Sequence, residues 1–158
     1  MSALQRHLVN LDIVKDDIAT LSAKDYASPA HVRLVEQYCR GLQQILDELD
    51  HVTENQFGVL VKQAGLHALL AKKQMVGVHL KMASNVLVFW EADQKAHAII
   101  DAEFDEQADR RLDLLQVKAV RAKSQLKAAA LAMGRDDYSQ FANALGLSGE
   151  NLEWEKLS

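Results

Sequence analysis

The sequence predicts an all-α fold: an antiparallel helical bundle of four to five main helices with a small C-terminal helical hairpin. Apolar residues recur at steps of three and four along most of the chain, the spacing that places side chains on one face of a helix. Glycine and proline, which interrupt helices, number only seven and one among 158 residues. The apolar fraction of 49% and the charged fraction of 25% suit a chain with a buried core and differ from those of a disordered chain.

Two helices are predicted at the start of the chain. The first extends from about Ala3 to Ala23, because one face carries Leu4, Leu8, Leu11, Ile18 and Leu21. Lys15 interrupts that face, and Val14 can cover for it. Ser28 is well placed as an N-cap with Pro29 at the first helical position, so a second helix should start there.

The second helix, from about Pro29 to His51, has the most regular apolar pattern. Six positions alternate steps of three and four, as in a coiled coil: Val32, Val35, Cys39, Leu42, Leu46 and Leu49. Leu34, Tyr38 and Ile45 widen this row, so the helix should touch more than one neighbour. The six are predicted core positions, so Leu42→Ala or Leu46→Ala should each cost on the order of 2–5 kcal/mol. Cys39 belongs to this row and is expected to be a buried, unreactive thiol.

A third and a fourth helix are predicted between residues 53 and 90. Thr53 and Gln56 have the spacing of a capping box, which predicts the start of the third helix. Its inner face would carry Phe57, Val61, Ala64, Ala68, Ala71 and Met75. Gly77 predicts a break near residues 74–77, although the apolar stripe continues in phase beyond it. The fourth helix would then extend from about Val78 to Trp90.

The longest predicted helix extends from Glu91 to Met133 and ends at Gly134. Acids dominate its first half and bases its second half. Such a helix is ~65 Å long, whereas a compact chain of this length is ~40 Å across. We therefore expect it to pair with an antiparallel second copy in a homodimer. The predicted interaction residues are Arg110, Arg111, Leu112, Leu115, Lys118, Ala119, Arg121 and Ala122. The alternative is a tight hairpin within residues 91–101 that returns the chain to the same globule.

The chain is predicted to divide at Gly134 into a bundle, residues 1–134, and a short helical extension packed on it, residues 135–158. The extension would contain a short helix from Tyr138 to Leu145 and a last segment that ends at Leu157. Because the preceding apolar faces do not require it, deleting residues 137–158 should leave a folded body.

The segment from Phe141 to Leu152 resembles the helix-turn-helix pattern of DNA-binding regulators. It places Ala142 in the first helix, Gly146 in the turn and Ser148 at the start of the second helix. That second helix would carry three acids and one base, which would repel phosphates. A hairpin that caps the bundle is therefore favoured over DNA recognition. The bases between Arg110 and Arg121 could also hold phosphates, but they fit a solvated or protein-facing surface better, because no aromatic residue lies among them.

Two groups of side chains have spacings that suit metal ligands. Glu48 and His51 are three residues apart, and Asp93, His97 and Asp101 follow each other at steps of four. Either group could bind a cation if another helix added ligands. Because no second matching motif exists, we predict no metal and no other cofactor. His79 should be packed or half-exposed, because the residues after it lack the spacing of histidine phosphotransfer domains.

The sequence contains no complete catalytic set, so the favoured function is non-enzymatic. We expect a helical-bundle protein that acts by protein–protein interaction, as an adaptor, chaperone or regulator. A nucleic-acid-associated regulator is the alternative, disfavoured by the net charge of -4, and a metal-dependent helical enzyme is the third possibility. The lone Cys39 and the absence of a long uncharged apolar run predict a cytoplasmic protein without a membrane partner.

Overall fold

The computed structural model describes residues 3–55, 66–102, 106–147 and 150–157. Within these ranges the fold is all-α, as predicted, and contains no strand. The described helices are α1 (Ala3–Ala19), α2 (Pro29–Asn55), α3 (Leu66–Asp101), α4 (Glu106–Met133) and α5 (Arg135–Ala144). Short 3-10 helices lie at Ala23–Asp25 and Trp154–Lys156.

Neighbouring helices along the chain pack on one another. α1 packs on α2, α2 on α3 and α3 on α4, while α5 contacts both α4 and α1. Ile99 lies near Ala108 at one end of the α3–α4 pair, and Met82 lies near Ala129 at the other. Because the contacting positions run in opposite directions along the two helices, α3 and α4 form an antiparallel hairpin.

The predicted single helix from residue 91 to residue 133 is wrong, because α3 ends at Asp101 and α4 starts at Glu106. The predicted breaks near Gly77 and after Trp90 are also wrong, since both positions lie inside α3. Buried positions continue across both places and stabilise the helix there: Val76, Met82, Val86, Phe89, Trp90 and Ala92. The chain does turn back on itself, as the alternative prediction required, but it does so after residue 101.

The first turn of α2 forms as predicted. Ser28 precedes Pro29, and the Ser28 hydroxyl accepts a hydrogen bond from the backbone N–H of His31 at 3.2 Å. α1 ends at Ala19, four residues earlier than predicted. α2 continues to Asn55, so Thr53 lies within a helix and does not cap a new one.

The predicted inner face of the third helix is wrong where the structure describes it. Ala71 and Met75 are exposed. The buried face in this part of α3 passes through Val76 instead, so these two positions lie away from the core. The side chains of Phe57, Val61, Ala64 and Ala68 lie outside the described residues.

The buried row of α2 is displaced from the predicted one. The most buried positions are Val35, Tyr38, Leu42, Ile45 and Leu49, again at alternating steps of three and four. Val32, Cys39 and Leu46 are only partly buried. The core is therefore centred on the side of α2 that carries Tyr38 and Ile45.

The residues after Gly134 contribute to the same hydrophobic core as α1 to α4. Gly134 ends α4 with a φ of 97°, a conformation that glycine adopts without strain, so this predicted stop is confirmed. α5 starts three residues before the predicted Tyr138. Beyond it, Leu147, Leu152 and Leu157 are buried at steps of five.

A step of five does not keep side chains on one helical face. Accordingly, residues 150–157 contain turns and one 3-10 helix but no α-helix, so this segment lacks the second helix that the resemblance to a helix-turn-helix implies.

Candidate functional site

The predicted interaction residues separate into two groups by burial. Arg110, Arg111, Lys118 and Arg121 are exposed on α4, whereas Leu112 and Ala122 are buried within the chain. Leu115 and Ala119 are partly buried. Leu112 and Ala122 belong to the predicted dimer interface, and the hairpin already covers both side chains. The homodimer itself stays a prediction.

A groove follows the open side of the α3–α4 hairpin and is called the outer groove below. It consists of two depressions, of about 540 and about 530 Å³. The depression near the turn is lined by Lys95, Ala98, Ile99, Ala102, Ala108, Arg111, Leu114 and Leu115. The other is lined by Val78, Lys81, Met82, Asn85, Gln125, Ala128, Ala129, Ala132 and Met133.

One row of residues on α4 shows that both depressions lie on the same side of the hairpin. The row alternates steps of three and four: Arg111, Leu114, Lys118, Arg121, Gln125, Ala128 and Ala132. Its first two members line one depression and its last three line the other. Because this spacing follows one face of a helix, Lys118 and Arg121 lie along the edge between the depressions.

The outer groove is basic on a chain whose net charge is -4. The charged side chains along it are Lys81, Glu91, Lys95, Arg111, Lys118 and Arg121. The ammonium of Lys95 lies 2.7 Å from Glu91 Oε1. Lys95, and to a smaller extent Lys118, lower the pKa of the Glu91 carboxyl. Glu91 therefore neutralises one base, and the other bases leave a positive edge.

Leu114 gives this basic edge an apolar centre. Its side chain is 71% exposed and lines the depression near the turn, and Val78 is exposed at the opposite end. Val117 and Val120 are also exposed on α4 but lie outside both depressions. The outer groove can therefore contact an apolar side chain while its edge contacts negative charge.

Asp93, His97 and Asp101 lie on one face of α3, but the described residues do not group there as metal ligands. The Nδ1–H of His97 donates to the backbone carbonyl of Asp93 at 2.7 Å, and this bond is the main reason that the pKa of His97 is raised. The Asp93 carboxylate lies 3.7 Å from the same nitrogen. Asp101 is exposed four residues further along the helix.

Glu48 and His51 lie near the end of α2, away from these residues. Glu48 Oε1 lies 4.0 Å from Nε2 of His7 on α1, and His51 is exposed. Within the described ranges, no three or more histidine, cysteine or acidic side chains are grouped as metal ligands require.

A buried polar cluster joins the start of α2 to the C-terminal segment and was not predicted. His31 is 2% exposed. Its Nε2–H donates to the carbonyl of Leu145 at 2.8 Å, and its Nδ1 accepts the backbone N–H of Ala27 at 3.0 Å. These two bonds require a neutral ring with the proton on Nε2. Burial is the main cause of the lowered pKa of His31, which favours that neutral form.

Tyr26 extends this cluster to the end of the described chain. Its hydroxyl accepts the indole N–H of Trp90 at 3.2 Å and donates to Oδ1 of Asn151 at 3.0 Å. Burial raises the pKa of Tyr26 to about 12, so the hydroxyl keeps its proton. The polar atoms of His31 and Tyr26 already have partners, so this cluster positions the chain and does not present a reactive group.

Cys39 is the only thiol of the chain and is half-buried on α2. Burial raises the pKa of its thiol, although a hydrogen bond with Ser84 acts in the opposite direction. A thiol with a raised pKa is mostly protonated and therefore a poor nucleophile.

No described helix combines the length and the apolar character that crossing a membrane requires. Function must be inferred from the residues of the chain itself, because no protein-family model, no curated protein and no solved structure matches it.

Proposed function

We propose that the chain is a non-enzymatic protein-binding module whose outer groove receives an acidic amphipathic helix of a partner protein. The observation that carries this proposal is a basic, partly apolar groove that the described residues leave open, on a chain that is acidic as a whole. An adaptor, a chaperone or a regulator could use such a surface. A cytoplasmic location is part of the proposal and is supported by the single, half-buried Cys39.

The dimensions of the groove suit a helix. Residues 78–101 of α3 form one side of the groove, a length of roughly 36 Å at 1.5 Å per residue. A partner helix would place apolar residues at steps of three and four against Leu114, Ile99 and Met133. Small side chains such as Ala98 and Ala128 leave room for them.

Charge selects the kind of helix. Arg111, Lys118 and Arg121 would attract acidic residues that flank the apolar row of the partner. Because exposed charge pairs contribute only ~0–1 kcal/mol each, the apolar contacts supply most of the affinity and the charges decide which partner and which orientation bind.

Nucleic acid is the alternative occupant, since the same bases could contact phosphates. The residues that line the two depressions include no aromatic side chain on which a base could stack. The apolar centre at Leu114 would also remain exposed beside a phosphate backbone. These features favour a protein partner. The metal-dependent enzyme draws no support from the described side chains.

A designed peptide tests the proposal directly. The probe is a helical peptide of about three heptads with leucine at the a and d positions and glutamate at the flanking positions. Its comparison peptide replaces each glutamate with lysine, and a DNA duplex represents nucleic acid. Fluorescence anisotropy should show that the acidic peptide binds at least tenfold more tightly than the basic peptide, with weaker binding as salt is raised.

Two single variants locate the binding surface. Leu114→Glu places a charge in the groove and should weaken binding of the acidic peptide at least tenfold. Val120→Glu is the matched control, because Val120 is similarly exposed, at 64%, but lies outside both depressions. It should change binding less than threefold. The triple change of Arg111, Lys118 and Arg121 to Glu should remove the preference for the acidic peptide.

Three results would contradict the proposal. Equal effects of Leu114→Glu and Val120→Glu would mean that the peptide binds elsewhere. Tighter binding of the DNA duplex, lost in the triple variant, would favour the nucleic-acid alternative. Sedimentation of a dimer that dissociates in Leu114→Glu would show that a second copy occupies the groove, as in the predicted homodimer.

A further inference from the structure

A second cavity, of about 500 Å³, lies where α1, α2, α3 and α5 meet the end of α4. We call it the junction cavity. Its apolar wall includes Met75, Met133 and Phe141. It adjoins the outer groove, because Val78 and Met133 line both. Its volume lies within the range of sites that bind small molecules.

Lys15 is the side chain that makes this cavity unusual. It occupies a position on the apolar face of α1 between Leu11 and Ile18, both of which are buried. A partly buried charge on such a face is costly unless water or a partner compensates it. Lys15 lines the junction cavity, which explains how the face tolerates it.

Asp137 brings the opposite charge to the same cavity from the first turn of α5. Among the described residues, Lys15 and Asp137 do not pair with each other or with any other charged side chain. The cavity therefore presents a separate positive and a separate negative group.

His79 lies within the influence of both charges. Burial and the nearby Lys15 lower its pKa, while Asp137 acts in the opposite direction with a smaller effect. The ring is therefore mostly neutral near pH 7 and can both donate and accept a hydrogen bond. It packs against Phe141 with ring centroids 5.5 Å apart, which fixes it at the wall of the cavity.

We propose that the junction cavity binds a small zwitterion with an apolar side chain, such as a hydrophobic amino acid. Its carboxylate would contact Lys15, its ammonium Asp137, and its side chain the wall formed by Met75, Met133 and Phe141. A simple anion would be repelled by Asp137 and a simple cation by Lys15, whereas a zwitterion satisfies both. No covalent step is involved, and this site is independent of the helix-binding function proposed for the outer groove.

Four compounds with the same ring test this charge requirement. L-tryptophan carries both charges, indole-3-propionate only the carboxylate, tryptamine only the ammonium, and indole neither. Binding to the full chain is followed by NMR of ¹³C-methyl-labelled methionine, of which the chain has four: Met1, Met75, Met82 and Met133. Met75 lines only the junction cavity and Met82 only the outer groove, so their signals report which of the two is occupied.

We expect L-tryptophan to shift the Met75 and Met133 signals at millimolar concentration and to leave Met82 unchanged. Its affinity should exceed that of each of the other three compounds at least tenfold. Lys15→Gln should remove its advantage over tryptamine, and Asp137→Asn its advantage over indole-3-propionate. The matched controls are Lys24→Gln and Asp136→Asn, because both residues are exposed and neither lines the cavity. They should leave both preferences intact.

Three outcomes overturn the inference. Equal affinity for the four compounds means that the cavity recognises only the ring. A shift of Met82 without Met75 places the compound in the outer groove. Absence of any shift at millimolar concentration, with wild-type methyl spectra that show a folded chain, means that the cavity does not bind amino-acid-like zwitterions.

Discussion

The α3–α4 hairpin has one side that its own chain covers and one side that the described chain leaves open. On the covered side, α5 and the residues after it pack against α4, and Trp154 and Leu157 lie beside Lys127 and Ala130. On the open side, Leu114 remains 71% exposed in the outer groove. The covered side therefore stabilises the fold, whereas the open side is available for binding. Substitutions on the two sides should separate these effects.

Removing the covering segment should have the largest effect. Deletion of residues 135–158 exposes the part of the core that packs against it, and removes Tyr138, Phe141, Leu145, Leu147 and Leu152, all of which are buried. Each buried leucine contributes about 2–5 kcal/mol, so the three leucines alone contribute an amount comparable to the whole ~5–15 kcal/mol stability of an ordinary domain. We expect the truncated chain to lose cooperative thermal unfolding, which circular dichroism measures.

This expectation reverses the one made from the sequence, in which the body stays folded without residues 137–158. Leu114→Glu in the full-length chain is the control and should melt like the wild type. A truncated chain that unfolds cooperatively near the wild-type temperature would restore the division at residue 134.

Replacing one leucine on each side of the hairpin should give a smaller difference in stability. Leu152→Ala should lower the free energy of unfolding by about 2–5 kcal/mol, because its side chain is 0% exposed. Leu114→Ala should change it by less than about 0.5 kcal/mol, as for an ordinary surface residue. Urea denaturation measures both values. A large loss in Leu114→Ala would show that the open side is covered in solution.

The smallest expected effect is a dependence of stability on pH through His31, which ties the covering segment to α2. Its folded pKa lies below the usual 6.5, so the unfolded chain takes up the proton first as pH falls. Stability should therefore be unaffected well above pH 6.5 and decrease below it, by at most ~1.4 kcal/mol per pH unit. Protonation of His31 Nδ1 would place its N–H against the backbone N–H of Ala27.

Urea denaturation near pH 7.5 and 5.5 tests this dependence in the wild type and in His31→Gln, whose slope should be smaller. Asp25 opposes the effect by favouring the charged ring, and Glu150 lines a cavity of about 400 Å³ that His31 also lines. The lowered pKa of His79 adds a dependence of the same sign, so the variant should retain part of the slope. Identical slopes in the two proteins would exclude His31 as the source.

Local chemistry was sufficient to predict the helix ends that depend on a few neighbouring residues. Ser28 and Pro29 start α2, and Gly134 ends α4, because capping and positive φ are properties of single positions. Gly77 was misleading, since glycine inside a helix costs only ~1 kcal/mol and the buried face of α3 compensates for it. The turn after Asp101 was missed because no glycine or proline marks it.

The outer groove could be predicted only in part. The exposed bases from Arg110 to Arg121 followed from charge and spacing on one helix. The depressions beside them require α3 and α4 to pack antiparallel, and the register of two long helices is not readable from either helix alone. The sequence indicated one residue of the junction cavity, because Lys15 interrupts the apolar face of α1. Its companions His79 and Asp137 come from distant parts of the chain, so only the folded structure identifies them.

The bonds of the buried polar cluster also bear on how the chain folds during synthesis. His31 bonds to a residue 114 positions later, and Tyr26 to one 125 positions later. A ribosome that adds about 5–20 residues per second needs several seconds to supply these partners. Until then α1 and α2 lack the side chains that complete their core, and Ile18 and Val35 remain available to other proteins. We expect the nascent chain to recruit a holding chaperone and to release it only after residue 152 leaves the exit tunnel.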